Sequence, residues 1–238
     1  MRVHLLGVCG PYPASLGATS GYLLEAEGRA FQFDLGSGVL SRLTAVFPPE
    51  DLDAVFLSHW HFDHACDLLP LIYRLESLGA VLRVYAPEDP SSALRAVVSG
   101  ASCFDLRTVA AGDELDLDGV RVKVLPARHP VPGVGYRVEA GGKSFGYTGD
   151  TNTLPGLSGC YRGCGLLLAD GLFPSDLWEE TKPHLSAALA ARLARDAGVE
   201  RLVLTHLNPS IPQALLLKEA REFFPDVRLA SAGAVLEL

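Results

Sequence analysis

Short apolar segments separated by turn residues dominate the first two thirds of the chain. Each segment is four to six residues long and is bounded by Gly, Pro or Asp. Segments of this kind, rich in β-branched side chains, are typical of β-strands. The pattern predicts strands over residues 3–8, 21–25, 30–33, 54–57, 82–85, 120–125, 135–139 and 143–147.

Apolar residues recur at helical spacing in four further segments. In one of them Leu185, Leu189 and Leu193 are spaced four apart on one face, and Gly198 follows as a helix stop. A run of strands followed by helices occurs twice along the chain, and no low-complexity linker separates the two halves. This order predicts sheets covered by helices in a single domain over residues 1–238. The predicted helices cover residues 37–46, 65–78, 186–197 and 212–223, and the late strands cover 166–169, 201–205 and 227–230.

The composition fits a folded protein with a large core and no membrane span. The 238 residues are 48% hydrophobic and 20% charged, which excludes a disordered or fibrous chain. The apolar stretches are too short to cross a bilayer, and Gly7, Gly10 and Pro11 interrupt the N-terminus where a signal peptide would need an apolar core. We therefore expect a cytoplasmic protein without a membrane partner.

The charge balance favours a small anionic substrate over an extended nucleic acid. The formal net charge is −8 and no run of Lys or Arg occurs, whereas proteins that neutralise many phosphates carry a basic stripe. The five cysteines are scattered and odd in number, so we expect reduced thiols. Cys160 and Cys164 lack the second pair that a structural zinc site would need.

The residues that carry the chemistry follow the strand predicted at 54–57. A polar turn there presents His59, His61, Asp63 and His64 within six residues. Such a cluster is not a packed core, because each buried imidazole or carboxylate would need its own partner. After a strand, His59 and His61 can point the same way, while Asp63 and His64 point to an adjacent spot. This arrangement suits a pair of metal ions.

Three more candidate ligands come directly after predicted strands. They are His129, Asp150 and His206. One such residue alone is more often an ordinary turn residue. Six of the seven histidines nevertheless fall in motifs of this kind, which leaves only His4 as a plain strand residue.

Taken together, these residues resemble the metallo-β-lactamase superfamily. The four residues of the polar turn match its HxHxDH signature, and the three later residues follow in the expected order over nearly the whole chain. The resemblance implies an α/β fold, a four-layer αββα sandwich with the site at one edge of the two sheets. It also implies two divalent metal ions, for which such ligands suit zinc, with manganese or iron as alternatives. The implied ligands are His59, His61 and His129 for one ion, Asp63, His64 and His206 for the other, and Asp150 for both.

Three features resemble the RNase Z-like phosphodiesterase branch of that superfamily. They are the glycine- and proline-rich loop 7–21, the segments 135–139 and 146–151, and His184 followed by Ser186 at a helix start. At this helix start we expect an anion site formed by backbone amides, the Ser186 hydroxyl and His184. Segments 34–40 and 57–64 are similar to the small atypical class II cyclic-nucleotide phosphodiesterases of bacteria.

Two departures separate the chain from the tRNA-processing members of that branch. Those members carry a long exosite arm between the third histidine and the bridging aspartate. Here His129 and Asp150 are only 21 residues apart, which leaves room for a hairpin. In addition, Phe62 precedes Asp63 where those members have glycine. With the acidic charge, these departures argue against tRNA as the substrate.

We therefore predict a dinuclear metal-dependent phosphodiesterase for a small phosphodiester such as a cyclic nucleotide. Asp63 and His184 are the candidate catalytic residues, His184 as the proton donor to the departing alkoxide or as a contact to the phosphoryl oxygen. Three alternatives stay open: an acyl hydrolase for a thioester, lactone or β-lactam, a tRNA 3′-processing endoribonuclease without the exosite arm, and a non-enzymatic binding module. A homodimer is compatible with the sequence.

Overall fold

Fourteen strands and seven helices form the chain in the computed structural model, which describes residues 1–238. The strands are β1 Arg2–Gly7, β2 Gly21–Ala26, β3 Arg29–Phe33, β4 Ala54–Phe56, β5 Leu82–Pro87, β6 Phe104–Val109, β7 Glu114–Leu117, β8 Val120–Pro126, β9 Val134–Ala140, β10 Lys143–Tyr147, β11 Leu166–Asp170, β12 Leu202–Thr205, β13 Arg228–Leu229 and β14 Val235–Glu237. The helices are α1 Val39–Leu43, α2 Phe62–Ala65, α3 Leu68–Leu78, α4 Ala93–Gly100, α5 Leu157–Cys160, α6 Ala187–Ala197 and α7 Gln213–Arg221.

The strands form two seven-stranded sheets. The first has the order β14-β1-β2-β3-β4-β5-β6 and the second β13-β12-β11-β10-β9-β8-β7. Each sheet is antiparallel on one side and parallel on the other, with β3 to β6 parallel in the first and β10 to β13 parallel in the second. Because the carboxyl ends of parallel strands meet at one edge, residues that follow β3, β4, β10, β11 and β12 can converge there.

Burial of three apolar clusters holds the layers together. One cluster of 25 buried residues lies between the sheets and is rich in aromatic rings, with Phe33 stacked on Phe56 and edge-on to Tyr136. A second cluster packs α1, α3 and α4 against the outer face of the first sheet, and a third packs α5 to α7 against the second. The predicted four-layer αββα sandwich is thus confirmed. No helix combines the length and the apolar character that a membrane crossing requires.

The helix predicted at 65–78 begins at Leu68 as α3, and Ala65, its predicted first residue, is instead the last residue of the separate short helix α2. The break lies at Cys66 and Asp67, where the Asp67 N–H donates to the Leu35 carbonyl at 3.0 Å. The Asp63 carbonyl, four residues earlier, instead accepts from the Ser20 N–H at 3.1 Å. Tertiary hydrogen bonds therefore replace the helical one at this point.

The pattern did not predict five short elements, namely α4, α5, β6, β7 and β14. The strands β6, β7 and β14 lie at the edges of the two sheets and expose part of both faces, so their apolar alternation is weak. The helix α5 has only four residues, too few to show a helical period. The helix α4 has eight residues and buries only Leu94 and Val98.

Candidate metal centre

Four of the predicted ligands lie on the segment that joins β4 to α2. His59 and His61 precede α2, while Asp63 and His64 lie in its first turn. His59 and His64 are buried and His61 is exposed. Trp60 lies between His59 and His61 in the sequence, and its ring packs into the apolar cluster on the outer face of the first sheet. Its Nε1–H donates to the carbonyl of Pro87, the last residue of β5, at 2.8 Å.

His59, His61 and His129 form the first group of potential ligands. One ligand atom from each lies within 4.8 Å of the others. The ring centres are 4.6 Å apart between His59 and His61, 4.6 Å between His59 and His129, and 4.9 Å between His61 and His129. These three histidines are the set that the resemblance implied for one ion.

Asp63, His64, Asp150 and His206 form the second group, again within 4.8 Å of one another. The Asp150 Oδ2 atom lies 3.1 Å from His64 Nε2 and 3.4 Å from His206 Nε2. The same oxygen is 3.7 Å from His59 Nε2 in the first group. Asp150 therefore lies between the two groups, where a bridging ligand would have to be.

The unpaired polar atoms at this site fit a pair of divalent metal ions. Folded proteins leave few buried polar atoms without a hydrogen bond. Here five such atoms occur in one cluster, and nitrogen and oxygen donors of this kind suit zinc, manganese or iron. They are His59 Nε2, His64 Nε2, His206 Nε2, His129 Nδ1 and Asp150 Oδ1.

The electrostatics of the cluster also suit metal binding, which needs neutral imidazoles and ionised carboxylates. Burial lowers the pKa of His129 to about 4 and lowers the pKa values of His59 and His206 well below the usual range. Burial alone would raise the pKa of Asp150. The neighbouring His206 and His64 outweigh this effect and lower the pKa well below its usual value, so this carboxylate is ionised. His64 is the exception: burial lowers its pKa, but the neighbouring carboxylates raise it well above the usual value.

Asp34 holds the candidate ligand His64 from behind. Its buried carboxylate accepts from His64 Nδ1 at 2.8 Å, from the Ser58 N–H at 2.6 Å and from the Ser58 hydroxyl at 2.7 Å. The Tyr147 hydroxyl donates to the same carboxylate. The bond to Nδ1 leaves His64 Nε2 free to face the cluster, which is how carboxylates orient metal-binding histidines.

His206 is positioned by a strained backbone and by a close glycine. Its φ of 56° is in the left-handed region that residues other than glycine rarely adopt. Its Nδ1 pairs with the Ser20 hydroxyl at 3.1 Å, which leaves Nε2 to the cluster. A Cβ atom on Gly10 would lie 2.2 Å from the Cε1 and Nε2 atoms of the His206 ring, so only glycine fits at that position.

His184 lies beside the cluster and pairs with a buried carboxylate. Its Nδ1 donates to Asp170 at 2.8 Å and lies 3.8 Å from Asp150 Oδ2. Burial lowers the His184 pKa, but Asp170 and Asp150 outweigh this effect and raise it to about 9. Burial raises the Asp170 pKa to about 6. His184 also forms a group with His129 and Asp150 within 4.8 Å, so it is adjacent to both sets of ligands.

The segment that precedes His184 is fixed from two sides. The buried Asn152 amide donates to the Lys182 carbonyl at 2.6 Å, and the Arg128 guanidinium donates to the Glu180 carbonyl at 3.0 Å. The Trp178 Nε1–H donates to the carbonyl of His184 itself at 3.1 Å. These bonds hold the His184 ring against the cluster.

The expected anion site at the start of α6 needs correction. The Ser186 side chain is the N-cap and accepts from the Leu189 N–H at 3.2 Å. The Ala187 N–H donates to the Phe173 carbonyl at 2.9 Å. The Ala187 N–H is therefore already paired, whereas the Ser186 hydroxyl accepts and still has its O–H to donate, so of the expected anion-binding groups we remove the Ala187 amide and retain Ser186 and His184.

All eight residues predicted for the site come together, and the structure adds five that the sequence analysis missed. Two of the five, Asp34 and Asp170, stand at the ends of buried strands, the same signal that identified Asp150. The other three, Gly10, Ser20 and Ser58, carry no comparable signal, because small and hydroxyl residues are common in turns.

A model of the Beta-lactamase superfamily domain matches residues 29–207. The chain is 32% identical to a protein named Ribonuclease Z from Methanopyrus kandleri, over 99% of this chain and 97% of that one. It is 31% identical to the probable metallo-hydrolase YhfI of Bacillus subtilis over the full length of both.

Two solved structures have the same fold. The crystal structure of YhfI from Bacillus subtilis matches with a TM-score of 0.93 at 30% identity, over 100% of this chain and 98% of that one. The human tRNase Z short form matches with a TM-score of 0.81 over 100% and 99% of the two chains. At 20% identity this second likeness shows the fold alone.

Proposed function

The chain belongs to the β-lactamase superfamily and is a hydrolase with its metallo-β-lactamase fold, and on this premise we propose that it is a phosphodiesterase with two metal ions. Its substrate is a small phosphodiester such as a cyclic nucleotide. The observation that carries the proposal is the His184–Asp170 pair, with His184 Nδ1 3.8 Å from the central carboxylate oxygen of Asp150.

The seven clustered side chains are the proposed ligands. His59, His61 and His129 would hold one ion, Asp63, His64 and His206 would hold the other, and Asp150 would be shared by both. When bound, the two ions supply Lewis acidity and lower the pKa of a coordinated water so that it can attack near neutral pH. These donors bind zinc, manganese and iron, so elemental analysis of the purified protein is needed to identify the metal.

His184 is the proposed general acid. Its Nδ1–H is bonded to Asp170, so Nε2 is the nitrogen that can donate a proton to the departing alkoxide. An ionised Asp170 stabilises the protonated form that this donation requires. An alkoxide is a poor leaving group without a proton, so such a pair is needed for a phosphodiester more than for a thioester, whose thiolate departs readily without one.

Asp63 has a second proposed role beside that of a ligand. It is less buried than Asp150, and its Oδ2 lies 3.5 Å from His64 Nε2 and 3.8 Å from His206 Nε2. We propose that Asp63 orients the attacking water and accepts its proton.

The chain between His129 and Asp150 supports a small substrate over tRNA. Strands β9 and β10 form a hairpin joined by Gly141 and Gly142, both with positive φ as a tight two-residue turn requires. This segment therefore has no arm. The alignment with the Ribonuclease Z of Methanopyrus kandleri spans 273 positions, 35 more than the 238 residues of this chain.

A substrate panel tests the proposal. The protein, loaded in turn with zinc, manganese and iron, is assayed on methyl p-nitrophenyl phosphate, 2′,3′- and 3′,5′-cyclic nucleotides, a thioester, a chromogenic lactam and a precursor tRNA. We expect turnover of the small phosphodiesters, and we expect Asp150→Asn to abolish it. His4→Ala is the control and should keep the activity, because His4 pairs with Glu25 outside the cluster. Faster turnover of the thioester or lactam, or accurate tRNA trimming, would overturn it.

A further inference from the structure

A cavity of about 550 Å³ opens beside the metal-ligand cluster. Small-molecule sites typically enclose about 300–1,000 Å³, so its size is that of a binding site. Most of its wall is apolar and comes from two loops, one after β6 and one after β8. The apolar wall includes Val109, Ala110, Ala111, Pro130, Val131 and Pro132.

The cavity borders the cluster at His129, which belongs to both. Two of its lining residues, Val134 and Pro87, are hydrogen-bonded to the segment that carries the histidines. The Val134 N–H donates to the Ser58 carbonyl at 2.9 Å, and the Trp60 Nε1–H donates to the Pro87 carbonyl at 2.8 Å. A group in this cavity would therefore be held at a fixed position relative to the metal ligands.

The cavity wall is also rigid before any ligand binds. Pro126, Pro130 and Pro132 fix three φ angles within seven residues of the loop after β8. The backbone in this loop thus loses little freedom when a ligand binds, which favours affinity.

The charges around the cavity exclude a phosphate and favour an uncharged group. No Lys or Arg lines it, and Glu88 at its rim is a carboxylate that accepts from Arg95 and from the Thr108 hydroxyl at 3.0 Å. The cavity therefore offers a phosphate no free cation, because the nearby Arg95 guanidinium is already paired with Glu88. The flat apolar surfaces of the alanine and proline residues suit a planar ring, and Glu88 can accept from a ring N–H.

We propose that this cavity binds an uncharged planar ring of the substrate, of the size and polarity of a nucleobase, while the phosphate lies at the metal-ligand cluster. This inference rests on the proposed phosphodiesterase function and adds the class of organic group that the substrate carries.

Calorimetric titration of the zinc-loaded protein with two phosphate monoesters tests the inference without requiring turnover. Thymidine 5′-monophosphate carries a nucleobase, and methyl phosphate carries none. We expect the wild-type protein to bind thymidine 5′-monophosphate at least tenfold more tightly. Ala111→Phe fills the cavity from an exposed position, and we expect it to abolish this preference and leave methyl phosphate binding unchanged.

Two further variants complete the design. Ala110→Phe fills the cavity from the neighbouring exposed position, and Ala45→Phe places the same ring on the surface outside the cavity and must keep the preference. Equal affinity of the wild type for both monoesters would overturn the inference and leave the proposed function standing. A preference that survives both cavity-filling variants would place the ring elsewhere and overturn it too. Failure to hydrolyse methyl p-nitrophenyl phosphate, by contrast, would count against the proposed function.

Discussion

Gly10→Ala is expected to disable the proposed second metal site although it replaces none of the proposed ligands. The new Cβ would lie 2.2 Å from the His206 ring, whereas ordinary contact begins at 3.4 Å, so the ring would have to retreat by about 1.2 Å. Metal–ligand distances tolerate about 0.2 Å, so this displacement removes His206 from the second group of ligands. Gly10 cannot retreat easily instead, because its N–H donates to the Leu207 carbonyl at 3.1 Å.

The size of the effect follows from the loss of one ligand in four. Loss of a group that merely orients a ligand costs about 10–100-fold in metal affinity. Loss of the ligand itself is expected to cost at least about 100-fold, or about 2.8 kcal/mol. Zinc titration against a competing chelator, with elemental analysis of the purified protein, measures the loss of zinc affinity. We expect Gly10→Ala to show one tight and one weakened zinc site.

Gly100→Ala is the matched control, since its Cβ would meet nothing within 4 Å and its φ is not positive. We expect this variant to keep two tight zinc sites. Two zinc ions bound to Gly10→Ala with wild-type affinity would refute the reasoning, because it would show either that the ring does not move or that His206 is not a ligand.

Three other substitutions test the remaining parts of the site. Asp34→Ala leaves the donors of His64, Ser58 and Tyr147 unpaired in the core, and we expect urea unfolding to show a loss of about 3 kcal/mol or more; an unchanged midpoint would contradict this. Asp150→Ala removes a ligand from both ions, so elemental analysis should find less metal than in any single-histidine variant, and full occupancy would exclude the bridging role. His184→Ala should lower kcat by about 10²–10⁴ on a diester with an alkoxide leaving group and much less on one with p-nitrophenolate, at unchanged metal content; equal losses on both would indicate phosphate binding instead.

The sequence identifies the residues that come together in the candidate metal centre because their signal is local. A strand followed at once by polar, metal-binding side chains identifies His59, His129, Asp150 and His206, and the fold places all of these strand ends at one edge. The same rule applies to Asp34, but aspartate is common after strands, so only its contact with His64 distinguishes it.

The parts that the sequence did not predict depend on contacts between distant segments. Gly10 and His206 are 196 positions apart, and no periodicity relates them. The break between α2 and α3 arises from backbone hydrogen bonds with Leu35 and Ser20 in distant loops, so the sequence pattern placed the start of α3 three residues too early. The paired Ala187 amide at the start of α6 likewise becomes visible only when its partner is known.

Stepwise zinc reconstitution of the metal-stripped protein tests the central claim most directly. Hydrolysis of methyl p-nitrophenyl phosphate is followed while zinc is added in known equivalents per chain. A dinuclear phosphodiesterase predicts that the rate rises to a plateau at two equivalents. A plateau at one equivalent would contradict the dinuclear site, and no hydrolysis with zinc, manganese or iron at any concentration would contradict the phosphodiesterase activity.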